Sequence, residues 1–348
     1  MSQSQLPIQP KTAVGTILKT LPNKRLRDII EKRYGLRGAS MTLDAIGKIY
    51  GITRERVRQI ENSVLKHLAK PEAVSYLEPI YKEVISHIRG AGGVVEEKKF
   101  LHSVAEKSEH PHLQLLLALH KGVMQAPETD EFHTRWYSDK DALAVSEKVV
   151  KSVVQKLDAK KALLSREQLA SLVSDTYRET ANQNPSMEAV HSYINTSKLI
   201  KENPYKEYGL CTWPTVQPKS IRDKAYAILS KEGKPMHFQM IATAIDKSGF
   251  RGKKHAHPQT VHNELIKDSN RFVLVGRGLY ALKEWGYEPG TVKDVIRSIL
   301  KKENSGMERG AIVTAVLSRR FVKENTILLN LQNKSLFKKH ADGTYFLA

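Results

Sequence analysis

The 348-residue chain holds a single cysteine, Cys211. One thiol can neither close a disulfide within the chain nor build a cysteine zinc site, so both frameworks are excluded. Cys211 stands in the apolar-flanked run LCTW, which reads as a buried strand position. Long apolar runs are also missing. None approaches the roughly 20 residues that a membrane-spanning helix needs, and the opening MSQSQLPIQPK lacks the apolar centre of a signal peptide. The expectation is a cytoplasmic, nucleoid-associated chain with no membrane contact. Signals for chemistry are equally sparse. Gly233-Lys234 lacks the leading glycine of a phosphate-binding loop and precedes a proline. The carboxylates form no nuclease pattern. His255, His257 and His262 would need a fourth ligand to hold a metal, and beside Lys253 and Lys254 they read as loop residues near phosphate. No enzymatic activity, metal or cofactor is expected.

Positive charge is abundant. The chain carries 56 Lys+Arg against 37 Asp+Glu, a formal charge of +19. Such a balance calls for a polyanionic partner, nucleic acid before a membrane surface. The charge is unevenly placed. Residues 1–70 hold a net +9, residues 71–214 a net −2, and residues 215–288 and 289–348 a net +6 each. Both ends can therefore release counterions from a phosphate backbone, whereas the middle suits a spacer or a protein-binding segment. A length of this order predicts two or more domains at about 100–200 residues each.

Residues 41–61, MTLDAIGKIYGITRERVRQIE, give the clearest local pattern. Leu43, Ile46 and Ile49 space out one apolar stripe on a first helix. Gly51 supplies the permissive backbone of a tight turn, and Thr53 stands where a helix N-cap belongs. The second helix sets Val57, Ile60, Val64 and Leu68 on one face, and Pro71 ends it. Glu55, Arg58, Gln59 and Asn62 then cluster on the opposite face, flanked by Arg54 and Arg56. Arg suits guanine, Gln and Asn suit adenine, and Glu suits the cytosine amino group, so this face is fit to read base edges.

The words TLDAIGKIYGITRERVRQIENSVLKHL resemble region 4 of the bacterial primary sigma factors, and LPNKRLRDIIEKRYGLRGA resembles the helical segment leading into it. The likeness covers residues 14–70. It implies a helix-turn-helix domain whose second helix reads the upstream promoter element, with Arg54, Glu55, Arg58 and Gln59 at promoter-contacting positions and RNA polymerase as a partner. Promoter melting in that family needs a further domain ahead of region 4. Only about a dozen residues precede the segment here, so an initiation factor is not expected.

Beyond residue 71 the chain repeats. Val95, Leu164, Met236 and Met307 serve as anchors. An aliphatic stands seven residues before each (Ile88, Leu157, Leu229, Leu300), and apolar residues follow at five (Phe100, Leu169, Ile241, Ile312) and nine (Val104, Val173, Ile245, Val316). Each copy reads as three helices and two short strands around a turn, the winged-helix order. RFVLVGRGLYAL, with Gly276-Arg277-Gly278 between strands, is the plainest hairpin. The predicted units are 74–141, 142–214, 217–288 and 289–348. In the third, GKPMHFQMIATAI followed by RFVLVGRGLYALKEWGYEPGTVKDVI resembles the HARE-HTH domain found in the delta subunit of RNA polymerase, in some restriction endonucleases and in chromatin proteins. That likeness implies contact with DNA or a transcription complex.

The expected fold is mainly α with small β-hairpin wings: a helix-turn-helix domain followed by tandem winged-helix units. The expected function is sequence-specific double-stranded DNA binding in transcription regulation beside bacterial RNA polymerase. Thr53, Arg54, Glu55, Arg56, Arg58, Gln59 and Asn62 on the recognition helix, and Lys253, Lys254 and Arg277 in the third winged unit, are the expected DNA contacts. Two alternatives remain open: a delta-like polymerase subunit that binds mainly protein, and the DNA-targeting component of a modification or restriction system. The third helix of the first copy, HLQLLLALH, is apolar almost all round, so it is predicted to be buried on more than one side or covered by a partner.

Overall fold

A computed structural model describes residues 6–70, 75–250, 255–303 and 306–348. It divides into two compact units, Met1–Ile200 and Lys201–Ala348. Both are mainly helical with small antiparallel sheets, the helix-turn-helix and winged-helix architecture read from the sequence.

The first unit opens with α1 (Pro10–Leu18), α2 (Lys24–Tyr34), α3 (Leu43–Tyr50) and α4 (Arg54–Leu68). Asn23, Thr42 and Thr53 cap α2, α3 and α4, each side chain accepting a first-turn backbone N–H. Gly35 and Gly51 close α2 and α3 in the left-handed conformation, at φ 72° and 64°. The inner face of α3 departs from the expected stripe. Ile46 is fully buried and Leu43 half-buried, but Ile49 is 53% exposed. Gly47 and Tyr50 turn inward instead. A Cβ at Gly47 would stand 2.6 Å from the Ile52 carbonyl oxygen, so the turn can close on α3 only over glycine. Ile29 of α2, Ile46 of α3 and Val57 of α4 form the core of this three-helix set.

The first winged-helix unit comes next. Its elements are α5 (Glu78–Gly90), β1 (Val94–Glu96), α6 (Glu97–Val104), α7 (His110–Leu119), β2 (Met124–Ala126) and β3 (Arg135–Tyr137), with strands in the order β1-β3-β2. Helix α7 is buried on several sides. Leu113, Leu115, Leu116, Leu117 and Leu119 are all inside, each worth about 1.5–3 kcal/mol on leaving water. The preceding domain covers α7, which packs against α1, α2 and α4. One core accordingly runs from Ala13, Val14 and Ile17 through Val64 and Leu68 to Ile80, Leu116 and Trp136.

The next three helices are α8 (Lys140–Lys160), α9 (Arg166–Ala181) and α10 (Met187–Thr196). Helix α10 lies against β1 of the unit before it. The Ser186 hydroxyl donates to the Gly90 carbonyl at 3.0 Å, Tyr193 to Gly92 at 3.0 Å, and Ser192 to Val94. Gly92, at φ 78°, allows that approach: a Cβ there would meet the Ala189 methyl at 2.7 Å. Arg135, nearly fully buried and held over the Phe132 ring, pairs with Glu147 of α8.

The hairpin β4 (Ile200–Glu202) and β5 (Tyr208–Leu210) leads into the second unit, so the break between the two units falls within β4. The hairpin turn packs onto the third winged copy: Glu207 pairs with Lys231 at 2.8 Å and Tyr205 meets Phe250 edge-on. Cys211 is half-buried in the turn after β5 rather than inside a strand. The polypeptide runs on through α11 (Ile221–Glu232), β6 (Met236–His237), α12 (Phe238–Lys247), α13 (Pro258–Lys267), β7 (Phe272–Gly276) and β8 (Leu279–Leu282), with strand order β6-β8-β7. The last copy holds α14 (Val292–Glu303), β9 (Met307–Glu308), α15 (Arg309–Leu317), α16 (Glu324–Leu331), β10 (Phe337–Lys339) and β11 (Thr344–Leu347), ordered β10-β11-β9. The anchors Val95, Met236 and Met307 each sit on the first strand of a three-stranded sheet. The apolar positions before and after them are buried in all four copies. The buried Arg320 donates to the Leu274 and Glu288 carbonyls at 2.7 and 3.1 Å and ties the last copy to β7.

Candidate nucleic-acid interface

Helix α4 separates its faces cleanly. Val57, Val64 and Leu68 are buried and Ile60 is half-buried, while Arg54, Glu55, Arg56, Arg58, Gln59 and Asn62 are exposed. Thr53, the cap, accepts from the Arg56 N–H at 3.1 Å, so its hydroxyl fixes where the helix begins. The first charged side chains then project from the helix N-terminus, where the backbone dipole also favours an anion.

Four polar side chains of this face are already paired with one another. Arg58 Nε and Nη2 donate to the two Glu55 oxygens at 2.8 and 2.7 Å, and Arg56 Nη1 donates to Gln59 Oε1 at 3.2 Å. The Arg58 hydrogen bond holds the Glu55 carboxyl below its usual range and raises the Arg58 guanidinium in turn. Both groups are water-exposed, so the pair constrains geometry more than it stabilises the fold. Nη1 lies outside that fork, so bidentate bonding of Arg58 to guanine O6 and N7 would use the Nη1–Nη2 edge or exchange the Glu55 pair for the base. Behind α4, Arg33 of α2 donates from Nε to both oxygens of Glu61 at 3.3 Å, which locks the helix against its support. Sequence spacing does not reveal that brace, because the two residues lie 28 positions apart.

In the third winged unit, Arg277 is exposed at the tip of the β7–β8 hairpin, between Gly276 and Gly278. Gly278, at φ 71°, presses its backbone onto His237; a Cβ would lie 2.4 Å from Nε2. Gln259, Thr260, Asn263 and Lys267 are exposed on α13. Lys267 is engaged by Glu264 at 3.4 Å. Lys253 and Lys254 fall outside the described residues. The three histidines have separate tasks. His255 pairs with Asp246, His257 caps α13, and His262 lies between the Phe238 and Tyr280 rings. Among the described residues no group of three or more His, Cys, Asp or Glu is placed to hold a metal, and no helix is long and apolar enough to cross a membrane.

These exposed faces sit on the two segments that resemble known domains. Residues 17–70 match the family model of Sigma-70, region 4. Residues 219–285 match that of the HARE-HTH, a helix-turn-helix domain whose description names ASXL and restriction endonucleases. Among curated proteins, the chain is similar to the RNA polymerase sigma factor SigA of Microcystis aeruginosa, at 46% identity over 63 residues, which is 18% of this chain and 15% of that protein. The SigA of Synechocystis sp. (strain ATCC 27184 / PCC 6803 / Kazusa) gives the same identity and coverage. The SigA of Nostoc sp. (strain PCC 7120 / SAG 25.82 / UTEX 2576) is 47% identical over 55 residues, 16% of this chain and 14% of that protein. The chain thus spans about one seventh of the length of these relatives. The matched span 17–70 contains the whole of α4 and its exposed face.

Proposed function

We propose that the chain is a sequence-specific DNA-binding transcription regulator that reads a promoter-type duplex through α4 and acts beside RNA polymerase. The observation that carries this reading is the outward face of α4. Six side chains suited to base edges and phosphates are exposed together, on a helix capped by Thr53 and set by the Gly47–Gly51 turn. Arg277 at the third unit's wing tip supplies a further cation that suits phosphate contact. The near-neutral stretch 71–214 works as a spacer or a protein-binding segment, and the chain acts by binding rather than by catalysis. The sigma factors it resembles are polymerase components by name, which supports polymerase as the partner.

A delta-like subunit that grips polymerase mainly through protein contacts is the second reading. The packing of α7 against α1, α2 and α4 favours the first, because that side of the helix-turn-helix domain is already filled from within the chain. The test is selection of bound sites from a random duplex pool without polymerase, followed by Arg58→Ala and Gln59→Ala. Each variant should lose about 1–3 kcal/mol of discrimination at one base pair. Unchanged site preference in both variants would remove α4 as the reader.

A further inference from the structure

The C-terminal hairpin lies outside both matched segments. Strand β10 pairs with β11 in the register Lys338↔Phe346 and Lys339↔Tyr345, and the His340 N–H donates to the Thr344 carbonyl. Since alternate residues share a face, Lys338, His340, Thr344 and Phe346 stand on one side, away from the buried Phe337. His340 is exposed, and its ring lies 4.3 Å from that of the half-buried Phe346. Lys334, Lys338 and Lys339 are exposed, and among the described residues none of them enters an ion pair. The nearest acid in sequence, Asp342, is spent on the turn, accepting from the backbone and hydroxyl of Thr344.

Lysines alone on an edge strand need no ligand, because they also keep other strands from pairing there. The ring pair set among them is what goes beyond that role. Strands Met124–Ala126 and Phe272–Gly276 of other hairpins carry no lysine at all. Helix α16, in the position from which a winged helix normally reads a groove, has no cation and turns Leu329 outward at 67% exposure. The third helix of this copy thus carries no cation within its own length, whereas Lys334, Lys338 and Lys339 stand exposed on and beside the wing.

We infer that the outer face of the β10–β11 hairpin binds single-stranded nucleic acid, with an unpaired base stacked on the His340–Phe346 rings and its phosphates neutralised by Lys338 on that face and by the exposed lysines that flank it in sequence, Lys334 and Lys339. Every base has a π-face, so such a platform tolerates any sequence, and cations beside it follow the backbone. This function is separate from duplex reading by α4; either can fail without the other.

The experiment uses the full chain and fluorescence anisotropy with oligo-dT and oligo-U of about 12 nucleotides, within the site size of a single-strand platform, at low salt. A duplex carrying the α4 site is measured in parallel. Phe346→Leu keeps an apolar side chain against Gly306 but removes the ring; His340→Ala alters an exposed position and leaves the hairpin intact. Each should weaken single-strand binding about 5- to 100-fold, the range base–aromatic stacking spans on substitution, with duplex binding unchanged. Lys338→Glu with Lys339→Glu should lower the affinity further and flatten its salt dependence. A loss with oligo-dT, oligo-U or both supports the platform, and the probe affected names the strand. No single-strand binding by the unaltered chain, wild-type affinity in both ring variants, or an equal loss on the duplex would overturn it.

Discussion

Ile17→Ala tests whether the helix-turn-helix domain and the first winged unit share one core. Ile17 lies on α1, only 2% exposed, in the cluster that also holds Leu116 of α7 and Val64 of α4. The substitution removes three carbons, worth about 2.4 kcal/mol at about 0.8 kcal/mol per buried methylene. Unrelaxed cavity adds to that, so the expected loss is about 3–4 kcal/mol, within the range for large-to-small core changes. A domain stable by about 5–15 kcal/mol survives this. DNA affinity near room temperature should therefore hold while the urea midpoint falls. The discriminating readout is amide hydrogen exchange. With a shared core, amides in α4 and α7 lose protection together and by similar amounts. Leu116→Ala, made from the other side of the junction, should give the same pattern. Loss of protection confined to α1–α4 in the first variant, and to α5–α7 in the second, would refute the shared core.

Two further outcomes rest on local geometry. Gly47→Ala forces a methyl to within 2.6 Å of the Ile52 carbonyl oxygen, a backbone atom that cannot step aside, and should cost about 1–3 kcal/mol with loss of duplex binding. Gly51→Asn, in open space and in a conformation Asn tolerates, should cost less; equal stability of Gly47→Ala and the wild type by urea titration would contradict this. Burial pulls His87, His110, His112 and His120 below their ordinary value of 6.5. Unfolded histidines take up protons first as pH falls, so the stability of the first unit should be full above about pH 6.5 and decline below it. Equal urea midpoints about one pH unit above and one below that value would count against the linkage.

The helix-turn-helix is legible in the sequence because its signals are local. Thr53 caps as its position implies, and Gly51 adopts the left-handed turn. The α3 stripe misplaces Ile49 because two of the inward positions hold Gly47 and Tyr50, which apolar periodicity does not score. The inner faces of the repeats are legible for the same reason that the outer partners are not. A buried aliphatic at fixed spacing announces a core, but not which distant helix completes it. The run HLQLLLALH announces that α7 is covered; only the fold reveals α1, α2 and α4 as the cover. Cys211 reads wrongly as a strand residue because an apolar neighbourhood in sequence does not distinguish a strand from the turn after it. The Arg33–Glu61 brace and the Ser192, Tyr193 and Gly92 contacts join residues too distant for any spacing rule.

The α7 packing also bears on transplantation. Residues 14–70 look like a portable cassette, the piece an engineer would cut out and fuse elsewhere. Excised, that cassette would carry the α1 flank, with Val14, Ile17 and Leu18, bare into water. Apolar strips of that kind drive self-association. The smallest graft that keeps its own lid runs past α7 to the end of β3 at Tyr137, well beyond the stretch that family resemblance alone would suggest.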